Sequence, residues 1–250
     1  METVVENPIE TGLQMAPRGN ARRPLLGLTI LLVEDSRYCS EAVRLLCQKS
    51  GARLRRADSQ RAAYRHLATY RPSLVIVDIG LPDGSGLDLV RDLAAHRPNA
   101  PKILATSGDD PALCNIAAVK AGADGFMAKP LKNIKTFQTD ILTLFPDRDD
   151  IDTSKILPFR AEIVPDELAI FEDLRHVREL VQAALKDDEA DVLNYCAQFL
   201  GSVADANGVD GLAELASDLA IGAAQGGLDK GLIGAVVDDL SERISKGVTI

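Results

Sequence analysis

Three carboxylates, a hydroxyl and an ammonium stand at the ends of apolar runs in this 250-residue chain. Glu34 and Asp35 follow Leu28–Val33, and Asp78 follows Leu74–Val77. Thr106 closes Lys102–Thr106, and Lys129-Pro130 follows Gly125–Ala128. Gathered carboxylates repel, at about 4 kcal/mol per pair for a separation of about 4 Å and an effective dielectric near 20. Such a set calls for a divalent cation, and a cage of hard oxygen ligands suits Mg2+. There Mg2+ would neutralise an incoming phosphoryl group and let a carboxylate oxygen attack phosphorus. Lys129 would hold a phosphoryl oxygen as a point charge, and the Thr106 hydroxyl would donate to another. Taken singly, each residue has a plainer reading: a strand-end Asp caps a helix or makes a turn, a Lys before Pro is solvated, a strand Thr packs. The ordered set of five is what favours a shared site.

The elements that must position these groups alternate. Leu28–Val33 is apolar throughout, as in a strand buried on both faces. Ser36 offers an N-cap to a helix with Ala42, Val43, Leu46 and Cys47 at helical spacing, and Gly51 closes it. Strands are expected at Ala52–Arg56, Leu74–Val77, Lys102–Thr106 and Gly125–Ala128. Helices are expected at Gln60–Thr69, Leu87–His96, Pro111–Ala121 and Leu131–Leu144, with Gly84–Gly86 in a loop. Five strands alternating with five helices give an α/β domain with a doubly wound parallel sheet. Such folds place their sites at the carboxyl ends of the strands, where the five residues fall. The domain spans 25–147, after a flexible tail at 1–24. A Pro- and Asp-rich linker follows at 148–165. Residues 166–250 lose the strand signal. They read as four helices, Leu168–Leu185, Ala190–Ala204, Gly211–Ala223 and Gly231–Ser245, hence an all-α four-helix bundle.

Composition narrows the function. Hydrophobic residues make up 46% and charged residues 26%, and no apolar run approaches the roughly 20 residues of a membrane span. The first residues lack the apolar core of an export signal, so the cytoplasm is the expected compartment. Cys39, Cys47, Cys114 and Cys196 lie far apart without CxxC spacing, against a zinc site or disulfide framework; all four are expected to be small buried apolar groups. The net charge of −9 is uneven: residues 1–150 carry 18 acidic and 20 basic side chains, residues 151–250 carry 19 and 8. A second half at −11 is a poor partner for nucleic acid, whose phosphates need clustered Lys and Arg. His66 and His96 read as surface groups and Arg53–Arg56 as a solvated strand edge.

The segments VEDS, LVIVDIGLPDGSGLDLV, ILATSGDD and GADGFMAKP resemble the receiver domain of two-component response regulators, a flavodoxin-like fold, over roughly 120 residues. The resemblance implies Asp78 as phosphoacceptor, Asp35 as a direct Mg2+ ligand, Glu34 acting on the metal through water, and the Gly80 backbone carbonyl as a further ligand. It implies Thr106 as switch hydroxyl, Phe126 as switch aromatic, Lys129 as phosphate-binding lysine, and a cis Lys129–Pro130 bond. The phosphodonor would be a histidine kinase or phosphotransfer protein. The phosphorylation would be self-catalysed, so the chain would not be an enzyme acting on other substrates.

In the second half, Ala197, Leu200, Ala204, Gly208 and Leu212-Ala213-Glu214-Leu215 fit the frame of histidine-phosphotransfer domains. The resemblance departs at the chemistry. The acceptor histidine is Gln198, and the following Lys and Gly are Gly201 and Ser202. The Gln amide lone pair is delocalised and not nucleophilic, whereas imidazole is. The expected output is therefore a protein partner bound by the helical half, without membrane or nucleic acid, a homodimer remaining open. Three alternatives stand beside it: a bundle used only for dimerisation or packing, an active phosphotransferase using His176 at the height of Gln198, and a transcription regulator.

Overall fold

The computed structural model describes residues 19–131, 133–148, 167–187, 189–207, 211–224 and 230–246. Residues 1–18 of the tail expected at 1–24, most of the linker (149–165) and Gly208 lie outside them. In chain order the elements are β1 (Thr29–Val33), α1 (Arg37–Ser50), β2 (Arg53–Ala57), α2 (Gln60–Thr69), β3 (Leu74–Asp78), β4 (Gly80–Leu81), β5 (Gly84–Ser85) and α3 (Gly86–Ala95). Then come β6 (Lys102–Ser107), α4 (Pro111–Ala121), β7 (Gly125–Ala128), α5 (Ile134–Thr143), α6 (Glu167–Asp187), α7 (Ala190–Asn207), α8 (Leu212–Ala224) and α9 (Lys230–Lys246).

Local chemistry sets the helix starts. Ser36, Ser59, Ser85, Asp110 and Asn133 accept hydrogen bonds from backbone N–H groups of the first turns of α1 to α5, satisfying donors a helix start leaves unpaired. Gly51, with φ of 88°, ends α1, as expected.

The five main strands are parallel in the order β2-β1-β3-β6-β7. This is the doubly wound, flavodoxin-like arrangement, with its switch point between β1 and β3. Strand alternation divides the core: Ile30, Leu32, Leu74, Ile76 and Leu104 face α1 and α5, while Leu31, Val33, Val75, Val77 and Ile103 face α2 and α3. The loop expected at 84–86 is different. Gly80–Leu81 pairs antiparallel with Gly84–Ser85 as a short hairpin, and Gly86 opens α3. Two-residue strands carry too little pattern to be read from sequence. β2 lies at the sheet edge with Arg53, Arg55 and Arg56 exposed, as expected.

The described residues of the second half form helices α6 to α9, with no strand among them. α6 to α9 pack in a ring in which each helix touches two others, α6·α7, α7·α8, α8·α9 and α6·α9. One apolar core fills it, including Leu174, Val177, Val181, Leu200, Leu219 and Leu240. Tyr38 of α1 belongs to this core, 7% exposed, so the two halves share apolar burial. Of the cysteines, Cys47 and Cys196 are buried but Cys39 and Cys114, in the first turns of α1 and α4, are only partly so. Burial still pushes the Cys39, Cys47 and Cys196 thiols up to about 12, which leaves them poor nucleophiles.

Candidate functional site

Parallel pairing in register brings the strand ends together. Asp78 is paired with Thr106 across β3 and β6, and Glu34 and Asp35 follow directly on β1. The carboxylates of Glu34, Asp35 and Asp78 each offer an oxygen within 4.8 Å of the others. Lys129, one residue past β7, is held by its backbone N–H donating to the Ser107 carbonyl at 2.9 Å, and the Lys129–Pro130 bond is cis, as the resemblance implied. Its ammonium reaches in to Glu34 Oε2 at 2.8 Å and Asp78 Oδ2 at 2.9 Å. Thr106, 1% exposed, turns its hydroxyl to the Val77 carbonyl at 3.5 Å. Gly80 lines the pocket, its N–H 3.4 Å from Asp78 Oδ1. Phe126 lies on β7 opposite Ala105, half-buried, and is not among the pocket's lining residues.

The electrostatics follow from burial. Burial raises the Glu34 carboxyl well above its ordinary range, against the nearby Lys129 charge. Burial, with the Asp78 charge, raises Asp35 to about 7, opposed by a hydrogen bond from Tyr195. Burial works to lower Lys129, but the Asp78 and Glu34 charges win and raise it, so the ammonium persists. Burial also raises the Tyr195 phenol, with the Asp35 charge acting in the same direction; the hydroxyl therefore stays protonated and donates to Asp35 Oδ2.

The donor set fits Mg2+. Three carboxylates converge, and the buried Asp35 Oδ1 has no hydrogen-bond partner, a cost of about 1–3 kcal/mol for a buried polar atom that a hard cation would remove.

Three residues have roles the sequence reading did not give them, Ser202 having been noted only as a departure from the phosphotransfer frame. Tyr195 and Ser202 flank Gln198 along α7, and all three line the pocket with Asp78 and Lys129. Their i, i+3, i+7 spacing puts them on one helix face, a signal open to anyone who had asked what faces Gln198. Asp173 on α6 is the third: it accepts from Ser36 Oγ at 2.9 Å, Arg37 N at 2.9 Å and Tyr38 N at 3.1 Å. Burial raises its carboxyl despite these bonds. No local signature betrays that pairing. His176 is exposed on an open cleft between α6 and the α1–α2 side of the sheet, with Arg56 and His66; this cleft reaches Glu34 and Asp35, but His176 does not line the Asp78 pocket.

A parallel sheet in the order β2-β1-β3-β6-β7 carries the acidic strand ends and the inward lysine, and residues 30–139 match the family model of the response regulator receiver domain. That match covers 110 of the chain's 250 residues. The KDP operon transcriptional regulatory protein KdpE of Escherichia coli is 34% identical over 101 residues, 40% of this chain and 44% of its own. The virulence transcriptional regulatory protein PhoP of Salmonella typhi is 26% identical over 149 residues, 59% of this chain and 66% of its own. The chain thus spans between two-fifths and two-thirds of the length of these relatives. A solved response regulator from Thermotoga maritima is 26% identical, with a TM-score of 0.42, covering 47% of this chain and 96% of that one. Among the described residues no helix is long and apolar enough to cross a membrane.

Proposed function

We propose that Asp78 is the phosphoacceptor of a two-component regulator whose helical half is a protein-binding output shaped like a histidine-phosphotransfer domain without its histidine. The observation that carries this is the convergence of Glu34, Asp35, Asp78, Thr106 and Lys129 from four strand ends on one edge of the sheet, with the three carboxylates clustered and Lys129 bound to two of them. Glu34, Asp35, Asp78 and the Gly80 carbonyl would hold Mg2+, which when bound supplies charge neutralisation to the incoming phosphoryl group. An Asp78 carboxylate oxygen forms the new bond to phosphorus as the bond to the donor's leaving atom breaks, the leaving group keeping that electron pair. Lys129 holds one phosphoryl oxygen. Thr106 moves its hydroxyl from Val77 to another, and Phe126 follows into the vacated space. The donor would be a histidine kinase or phosphotransfer protein.

The test is incubation of the full chain with a small phosphodonor and Mg2+. Wild type gains one phosphoryl group by intact mass and Asp78→Asn gains none; equal gain in both would refute the assignment.

Transcriptional control is a second reading, favoured by the names of the E. coli and Salmonella relatives. Against it, residues 151–250 carry a charge of −11, where nucleic-acid phosphates need clustered Lys and Arg. Tight, salt-dependent binding of the full chain to duplex DNA would favour it.

A further inference from the structure

Asp78 is 7% exposed and the Lys129 side chain 3%, and what covers them is the chain itself. The pocket above Asp78 has a volume of about 20 Å³, room for little more than a water molecule. One wall comes from the receiver: Glu34, Ser36, Gly80, Ser107, Asp109. The other is one face of α7, Tyr195, Gln198, Phe199, Ser202 and Val203. A phosphodonor approaching the carboxylate meets that face first.

The contact is fitted on both sides. Glycine is required at 108, where a Cβ would fall 3.0 Å from Ser202 Cβ and closer still to its hydroxyl. A Cβ at Gly80 would lie 3.5 Å from Gln198 Oε1. Two anchors fix the approach: Asp173 caps the N-terminus of α1, and Tyr38 of α1 inserts into the helical core. The third contact is chemical, the Tyr195 phenol donating to Asp35 Oδ2.

We propose that α7 is a built-in cap on the phosphoacceptor pocket, in which Tyr195 holds through Oδ2 the Asp35 carboxylate that a divalent cation would share, so that cap closure and cation binding compete for one side chain. This rests on reading Asp78 as the phosphoacceptor and adds what governs access to it. The cap is a dead end for phosphate: Gln198, facing the pocket, has no nucleophilic lone pair to receive a phosphoryl group from Asp78. The α7 face is therefore a receiver-docking surface laid partly against the chain's own receiver, with Gln198 still exposed and Tyr195 and Ser202 half-buried, and opening it exposes at once the acceptor carboxylate and the rest of the helical face that a partner would bind.

The test measures Mg2+ affinity by calorimetry on the full chain, beside amide hydrogen exchange of residues 190–204. Tyr195→Phe keeps the ring and removes the donor. Since a hydrogen bond to a charged group contributes about one to two factors of ten in an equilibrium constant, the variant should bind Mg2+ about tenfold tighter. Gly108→Val wedges α7 away without touching Tyr195 or a carboxylate, and should also tighten Mg2+ and speed labelling of Asp78. In wild type, saturating Mg2+ should raise exchange along α7. Unchanged affinity in both variants, with α7 exchange indifferent to Mg2+, overturns the cap even where Asp78 labels normally. If the Mg2+ and exchange results hold but Asp78→Asn labels as well as wild type, the cap stands and the phosphoacceptor reading falls.

Discussion

At the scale of single residues, the pocket is a balance of buried charge. Lys129 faces Glu34 and Asp78 with its side chain 3% exposed. Removing one partner of a buried ion pair leaves the other uncompensated, at a cost of about 3–5 kcal/mol. Lys129→Met should therefore lower unfolding free energy by about that amount in a chelator, measured by urea denaturation, and Mg2+ should restore part of it by supplying the lost positive charge. Gly86 is a different kind of constraint. A Cβ there would fall 2.9 Å from the Asp78 carbonyl carbon and 3.0 Å from a Val77 methyl, and backbone gives way poorly. Gly86→Ala should cost about 1–3 kcal/mol and displace Asp78, lowering phosphoryl incorporation more than a surface Gly→Ala does.

At the scale of elements, legibility followed the range of the signal. α2, α4 and β7 lie where their caps, prolines and glycines put them, because those signals are local. Lys129 and Asp78 were readable because each sits at the end of an apolar strand, and parallel pairing alone carries such ends to one edge. The β4–β5 hairpin was too short for periodicity. The pairing of Asp173 with the start of α1 joins residues about 136 positions apart through a single carboxylate, which leaves no pattern along the chain. That carboxylate satisfies two backbone donors and the Ser36 hydroxyl at a helix N-terminus, where negative charge is favoured. Asp173→Ala should destabilise the joint unfolding of the two halves by about 2 kcal/mol, while Glu172→Ala, removing the exposed ion pair with Arg37, should cost well under 1 kcal/mol. Equal effects in denaturation would count against the capping role.

At the scale of the molecule, the two halves are one acidic pocket and its cover. Charge runs from near balance in residues 1–150 to −11 in residues 151–250, so the helical half adds to the negative field that draws a divalent cation. Mg2+ at one hundred times its dissociation constant should stabilise the folded chain by about 2.7 kcal/mol, read as an upward thermal shift, and Asp35→Asn should abolish most of it. The measurement that bears most directly on the whole account is the location of the phosphoryl group. After reaction with a small phosphodonor and Mg2+, borohydride reduction converts an aspartyl phosphate to homoserine, which peptide mass spectrometry places by residue. Homoserine at position 78 and nowhere else is the predicted result; phosphate carried on His176, or homoserine at another acidic residue with position 78 unmodified, would contradict it.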